Sequence, residues 1–192
     1  SVVPSVTDSV SNAVEKLIKQ PPVIIGPGVK TGLRILTDNP RQLGSDLVVD
    51  AVAGINYYKT PLIIIDMGTA TTLSALDKNG SFLGGAIAAG MKLTLNALAE
   101  GTAALPAISI AAPKSVIGKN TVDCMQSGIV LGTAAMLDGM ADRIEKELGK
   151  PIKTLVATGG LAKEIVACCE KDIIFNKDLV LQGLLIIYKK NR

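Results

Sequence analysis

The stretch Pro61-Leu62-Ile63-Ile64-Ile65-Asp66-Met67-Gly68-Thr69-Ala70-Thr71-Thr72 decides the fold of this chain. It begins with an unbroken apolar run rich in β-branched residues, which is typical of a central strand covered on both faces. The run ends in a carboxylate and is followed by a turn of glycine and threonine. The stretch therefore predicts a central strand at 61–66 with polar groups at its carboxyl end.

The sequence after this strand predicts a meander and then an alternation of strands and helices. The expected elements are strand 71–76, hairpin turn 77–80, strand 81–87, helix 92–99, helix 122–148, strand 154–157, a helix from 159–160 to about 169, strand 172–175 and helix 177–190. Three strands in a meander followed by alternating elements predict an α/β domain with a mixed sheet.

The sequence before the central strand predicts two helices with a strand between them. The first helix is expected to be capped by Thr7 or Asp8 and to run to about Lys19. The apolar run 23–25 predicts a strand, and the apolar spacing within 41–58 predicts a second helix that links two halves of the chain.

Composition excludes several classes of function. The chain has 192 residues and no His, which removes Ser/His and Cys/His nucleophile pairs and most catalytic zinc sites, so proton transfer must use a carboxylate or Lys. Its three Cys have the spacing of neither a disulfide framework nor a zinc site, which predicts a reduced, cytoplasmic protein. A net charge of +3 with 3% aromatic residues argues against nucleic-acid binding, and no apolar stretch is long enough to cross a membrane.

Two glycine turns suggest a phosphate site. Gly68, Thr69 and Thr71 follow the central strand, and backbone N–H groups and hydroxyls in such a turn suit phosphate oxygens, while Asp66 suits a cation. The pair Gly159-Gly160 lies between a strand and a helix, where backbone can approach an anion. The alternatives are a hairpin whose polar groups satisfy the turn and a plain tight connection.

Asp46 is the candidate proton acceptor. In the first turn of a helix an Asp is usually a cap, but without His a carboxylate near a phosphate site is the natural group to accept a hydroxyl proton during phosphoryl transfer. Thr121 lies at or near the start of the long helix, where capping is the simpler explanation. Small residues within 128–139 allow close helix packing, either across a dimer interface or within the chain.

Taken together, six blocks of sequence resemble the type III pantothenate kinases. They occur in the family's order and cover nearly the whole chain. The blocks are Gly28-Val29-Lys30-Thr31-Gly32-Leu33; Asp38-Asn39-Pro40 with Gly44-x-Asp46; Asp66-x-Gly68-Thr69-Ala70-Thr71-Thr72; Gly84-Gly85-Ala86-Ile87; Gly118-x-Asn120-Thr121 with Gln126-Ser127-Gly128; and Ala157-Thr158-Gly159-Gly160-Leu161.

The resemblance implies the actin-like fold, shared with acetate and sugar kinases and chaperone ATPases, in which two α/β domains close on a nucleotide. It implies a homodimer that phosphorylates pantothenate with ATP and Mg²⁺, in the first step of coenzyme A synthesis, and that uses a monovalent K⁺ or NH₄⁺. The residues that match the family's site are Asp46 as general base; Gly44, Ser45, Asp46, Leu47, Thr37 and Thr121 as pantothenate contacts; Gly68, Thr69, Thr71, Gly159 and Gly160 as ATP contacts; and Asp66 as monovalent-cation ligand.

The chain also departs from the family pattern. The family's Asp-x-Gly-Asn-Thr phosphate loop is absent, so 1–40 is expected to be a remnant of an N-terminal α/β domain, 41–60 a linking helix and 61–192 the C-terminal α/β domain. Leu47 stands where the family has Arg, and Thr37 where it has Tyr. These departures leave two alternatives open: a non-catalytic relative with a binding or regulatory role, and a kinase for another small hydroxyl compound.

Overall fold

The computed structural model describes residues 4–192, and β1 (Leu62–Met67) is the central strand of its sheet. The expectation that 1–40 is the remnant of a domain falls partly on 1–3, which lie outside the described residues. The helices are α1 (Pro4–Ile18), α2 (Ser45–Tyr57), α3 (Met91–Gly101), α4 (Thr121–Gln126), α5 (Gly132–Leu148), α6 (Ala162–Val166) and α7 (Leu179–Lys190). The strands are β1 (Leu62–Met67), β2 (Ala70–Leu76), β3 (Phe82–Ala89), β4 (Thr154–Thr158) and β5 (Ile174–Phe175).

Within the described residues these strands form one sheet in the order β3-β2-β1-β4-β5. β1, β2 and β3 are an antiparallel meander, while β4 and β5 continue the sheet in parallel to β1. The parallel strands are joined by helical crossovers, as the alternating pattern predicted. The predicted α/β class with a mixed sheet is confirmed.

The core lies on both faces of the sheet because β1 is buried on both. Leu62 and Ile64 pack with α2 and α7 on one face, which we call the α2 face. Ile63 and Ile65 pack with α3, α5 and α6 on the other, the α3 face. Each of these side chains is at most 2% exposed, and burial of each stabilises the fold by about 1.5–3 kcal/mol.

Two helices cover the α2 face by packing closely against each other. A Cβ at Gly183 of α7 would overlap the backbone carbonyl of Val49 in α2, so only glycine fits there. Helix α2 also approaches β1 closely, since a Cβ at Gly54 would lie 2.7 Å from both Ile64 Cδ1 and Leu62 Cδ2. The linking helix predicted at 41–60 is α2, which spans 45–57 and packs directly on the sheet. The division into domains at 40 and 60 stays a prediction.

Several predicted elements differ from the structure. The run 23–25 forms no strand, because no neighbouring strand pairs with it, and Ile24 is 53% exposed. The segment that pairs with the sheet is 34–36 instead: Ile35 forms a bridge with Phe82 of β3, and Leu36 N donates to Phe82 O at 2.8 Å. The predicted single helix 122–148 is interrupted by a π turn at Ser127–Leu131, and the strand predicted at 172–175 is only two residues long.

No helix among residues 4–192 combines the length and apolarity that crossing a bilayer requires.

Candidate active site

The start of α2 presents the predicted general base. Gly44 is the N-cap residue, and Asp46 lies in the first turn with its Oδ1 accepting a hydrogen bond from Leu47 N at 2.9 Å. A Cβ at Gly44 would overlap Asp46 Oδ1, so the glycine gives this carboxylate room to fold back over the helix start. Ser45 and Asp46 line a largely apolar cleft of about 370 Å³ between α1, 22–25, α2 and α7.

Asp50 lies one turn after Asp46 and was missed by sequence reasoning. It is 1% exposed, and neither carboxylate oxygen has a hydrogen-bond partner among the described residues. Burial first, and then the charges of Asp66 and Asp46, raise its pKa to about 7. The sequence did hold a signal for Asp50: it lies four residues after Asp46, and residues i and i+4 share one face of a helix.

Asp66 at the end of β1 faces the same helix. Side chains alternate along a strand, so Asp66 shares the α2 face with Leu62 and Ile64. Burial, and then the negative charge of Asp46, raise the pKa of Asp66. Its cross-strand neighbours are Thr72 on β2 and Thr158 on β4. The structure thus brings the predicted base and the predicted cation ligand to one corner of the α2 face.

The two predicted phosphate turns meet at the carboxyl ends of β1 and β4. They line a cleft of about 390 Å³, here called the glycine-turn cleft. Its lining residues are Met67, Gly68, Thr69, Lys92, Leu93, Asn96, Gly160 and Leu161. Lys92 and Asn96 of α3 were not predicted as site residues; the sequence Gly90-Met91-Lys92, just after a strand, was the only signal.

Helix α3 is held against the first turn. Gly90 N donates to Thr69 O at 3.1 Å, and a Cβ at Gly90 would overlap the carbonyl oxygens of both Gly68 and Thr69. The second turn is held as closely, because Gly159 has a φ of +105° and a Cβ there would overlap Met67 O. Gly159 therefore serves the packing of the turn, as its simpler alternative proposed, whereas Gly160 is open to the cleft.

Two predicted contacts lie apart from these groups. Thr71 is 1% exposed and pairs with Met67, so its side chain lies on the α3 face rather than in the cleft. Thr121 is the first residue of α4, where Asn120 is the cap and accepts a hydrogen bond from Asp123 N at 2.9 Å. Helix α4 packs on the α3 face, and no described contact joins Thr121 to 44–47.

The two positions that depart from the family pattern are both turned inward. Leu47 packs with Leu43 against the apolar cluster of the α2 face. Thr37 is half-buried, and its Oγ1 is buried without a hydrogen-bond partner among the described residues. Neither side chain presents a charge to the cleft beside Asp46.

Metal-ligating side chains form no large cluster in the described residues. No set of three or more His, Cys, Asp and Glu side chains within 4–192 is close enough to hold a metal ion. Burial raises the pKa of the Cys169 thiol to about 12, which keeps it protonated and a poor ligand.

Solved structures with related folds include a protein of the Baf family of transcriptional activators from Campylobacter jejuni. It is 17% identical, with a TM-score of 0.61 over 93% of this chain and 88% of that chain, which shows a shared fold. An activator of 2-hydroxyisocaproyl-CoA dehydratase from Clostridium difficile with bound ADPNP is 15% identical (TM-score 0.38, 80% of this chain, 69% of that chain). A ParM filament protein from Clostridium botulinum is 8% identical (TM-score 0.41, 73% of this chain, 51% of that chain).

The comparison with protein families shows which family this chain belongs to. A family model described as type III pantothenate kinase matches residues 1–143. The match covers the start of α2, the β1–β2–β3 meander and most of α5. The chain belongs to the type III pantothenate kinase family.

Proposed function

We propose that this chain transfers the γ-phosphoryl group of ATP to the primary hydroxyl of pantothenate, forming 4′-phosphopantothenate in the first step of coenzyme A synthesis. The observation that carries the proposal is the meeting of the Gly68–Thr69 and Gly160 turns in one cleft, in a chain of a kinase family. Ligands of open α/β sheets bind at the carboxyl ends of the strands, which is where this cleft lies.

The glycine-turn cleft supplies the groups that hold phosphate. Gly160 leaves its backbone open to a ligand, and Gly68 and Thr69 lie in the same wall. The first N–H groups of α3 lack partners within the helix and form the positive end of its dipole, while Lys92 adds a full positive charge. Together these groups favour a polyphosphate and stabilise negative charge that moves during transfer.

Asp46 is proposed to accept the proton of the acceptor hydroxyl. Its Oδ1 is held by the backbone of Leu47, and no hydrogen bond within residues 4–192 reaches its Oδ2. Asp46 lines the cleft between α1, 22–25, α2 and α7 rather than the glycine-turn cleft. The acceptor is therefore expected on the α2 side of β1, with the phosphates crossing the end of the strand near Asp66.

The residues around Asp66 fit the cation that the family resemblance implies. A half-buried carboxylate stands beside two polar groups whose buried oxygens have no partner in the described residues, Asp50 and Thr72. Hard cations select oxygen ligands of this kind. A bound cation would neutralise phosphate charge near the end of β1, and Asp66 would hold it there.

The pantothenate contacts predicted from the sequence lie on two sides of the sheet. Ser45 lies with Asp46, but Leu47 packs inward and supplies no charge for a substrate carboxylate. Thr121 lies on the α3 face, so it could contact the same substrate only around the end of the sheet or from a second copy of the chain. We propose a homodimer, in which a second copy supplies that contact.

The inward position of Leu47 favours a second candidate, a non-catalytic relative that keeps the fold for binding or regulation. A third keeps phosphoryl transfer with another small hydroxyl compound as acceptor. An assay for ADP release with pantothenate, and with a panel of small alcohols, separates the three. Turnover with pantothenate supports the first, turnover only with another acceptor supports the third, and none with any acceptor supports the second.

Asp46→Asn tests the base. We expect turnover to fall by about 10²–10⁴-fold, the usual contribution of general base catalysis, while ATP binding measured by calorimetry stays within about threefold. Asp178→Asn, which removes an exposed carboxylate at the start of α7, is the matched control and should retain activity. Wild-type turnover in Asp46→Asn would refute the assignment of the base.

A further inference from the structure

A cleft bordered by three lysines lies at the end of β1 opposite the glycine-turn cleft. Its volume is about 590 Å³, and the lysines are Lys59, Lys78 and Lys153. Strand β1 runs between the two clefts, and its six residues (Leu62–Met67) separate them by roughly 20 Å. We call it the lysine cleft, and no step of the proposed reaction uses it.

Hydrogen bonds join the three segments that carry these lysines. The Thr60 hydroxyl donates to Lys78 O at 2.9 Å, which ties the start of β1 to the turn between β2 and β3. The Thr154 hydroxyl donates to Lys59 O at 2.9 Å, and Thr154 directly follows Lys153. The backbones of the three lysines are therefore held at fixed positions around the cleft, although they are distant in sequence.

The turn between β2 and β3 is held from two sides. Asp77 accepts hydrogen bonds from Asn79 N and Ser81 N at 2.8 Å each. A Cβ at Gly80 would lie 3.1 Å from Ile55 Cγ2, so the turn packs closely on the end of α2. The lysine of this turn therefore extends into the cleft from a fixed backbone, and the carboxylate beside it in sequence is already occupied.

The charges of the lysine cleft are not balanced by acidic side chains of the described residues. No ion pair within 4–192 involves Lys59, Lys78 or Lys153, and all three are exposed. No Asp or Glu of the described chain lines the cleft. Like charges gathered at one surface repel one another, and a multivalent anion between them removes that repulsion.

We propose that the lysine cleft binds a small molecule that carries a diphosphate group. Lysine binds phosphate as a point charge, whereas arginine grips one phosphate through two hydrogen bonds. Three separate point charges therefore suit linked phosphate groups better than a single phosphate. The volume is that of a small-molecule site, and the lysines surround a concavity instead of forming the long basic track that a nucleic-acid backbone requires. The proposal does not depend on phosphoryl transfer at the other end of β1.

Titration of the full chain with inorganic pyrophosphate tests this proposal, with backbone amide shifts followed by NMR. A chelator keeps the pyrophosphate free of metal, and low salt keeps the charges unscreened. We expect the amides of 59–60, 78–80 and 153–154 to shift together and to saturate. Orthophosphate should bind at least fivefold more weakly, and added salt should weaken both. The amides of 68–69 and 160 report on the glycine-turn cleft in the same spectra, so failure of one site is distinguishable from failure of the other.

Three variants locate the site. Lys78→Gln and Lys153→Gln should each weaken pyrophosphate binding about fivefold, the effect of one close charge pair in water. Lys16→Gln, which removes an exposed lysine of α1 that does not line the cleft, is the matched control and should leave binding unchanged. Circular dichroism checks that each variant is folded.

Uridine diphosphate, titrated in the same way, distinguishes the two sources of a diphosphate group. Tighter binding than that of pyrophosphate would assign the cleft to nucleoside diphosphates, and equal or weaker binding would assign it to free pyrophosphate; either result supports the proposal. No saturable shift at the lysine-cleft amides, unchanged affinity in folded Lys78→Gln and Lys153→Gln, or an equal loss in Lys16→Gln would each overturn it. Displacement of pyrophosphate by a DNA duplex at a lower concentration than by uridine diphosphate would also overturn it and would indicate a nucleic-acid surface instead.

Discussion

The substitution Asp50→Asn should change how the stability of this protein depends on pH. The pKa of Asp50 is about 7 in the folded chain against an ordinary value of 3.8. Between these two values the folded state binds more protons than the unfolded state, so stability falls as pH rises. At 1.36 kcal/mol per pKa unit, the ionised carboxylate lowers the free energy of unfolding by about 4 kcal/mol above pH 7.

Asparagine keeps the shape of the side chain and removes the charge at every pH. A buried amide without partners has its own cost of about 1–3 kcal/mol, but that cost does not vary with pH. The difference in free energy of unfolding between variant and wild type should therefore shift in favour of the variant by about 3 kcal/mol between pH 5 and pH 8.

Urea denaturation at pH 5, 6, 7 and 8 measures this difference. The buffers should contain tetramethylammonium and a chelator, because a cation bound beside Asp50 would stabilise the charged carboxylate and reduce the effect. Asp178→Asn is the control, with a difference from wild type that stays constant across the series. A constant difference for Asp50→Asn as well would mean that Asp50 titrates near its ordinary value, and the isolated buried carboxylate described here would be wrong.

Three further predictions concern other parts of the fold. Lys92→Gln should weaken ATP binding roughly tenfold, or about 1.4 kcal/mol, with less dependence on salt, and calorimetry showing unchanged affinity would remove Lys92 from the phosphate site. Exposed Cys124 should react with iodoacetamide in the folded chain while Cys169, with its pKa raised to about 12 by burial, should not; peptide mapping that finds both equally labelled would contradict this. Gly183→Ala should destabilise the chain by about 1–3 kcal/mol in urea, because its methyl group meets the Val49 carbonyl, and a change within about 0.5 kcal/mol would show that α7 can shift.

The central part of the fold could be predicted because its signals are local. The apolar run before Asp66 and the turn at 77–80 specify the meander, and Asp77 holds that turn by accepting hydrogen bonds from Asn79 N and Ser81 N at 2.8 Å each. The run 23–25 has the same apolar character, yet it forms no strand. A strand depends on a partner, which a local pattern does not supply.

The site could be predicted only in its parts. Asp46, Asp66 and the two glycine turns could be proposed from the sequence because each has a local signature. Asp50 was missed, since it interrupts the apolar pattern of α2 only once and its surroundings are supplied by a distant strand. Lys92 was missed for a similar reason: an exposed lysine at a helix start gains meaning only when the cleft beside it is known.

The contact of Gly159 with the backbone of Met67 has a consequence for motion. The connection after β4 packs on the end of β1, and the start of α3 packs on the Gly68–Thr69 turn. We therefore expect the two turns to move together rather than independently. A ligand that displaces one turn must displace the other. Hydrogen exchange at the amides of both turns should therefore slow together when a ligand binds to either.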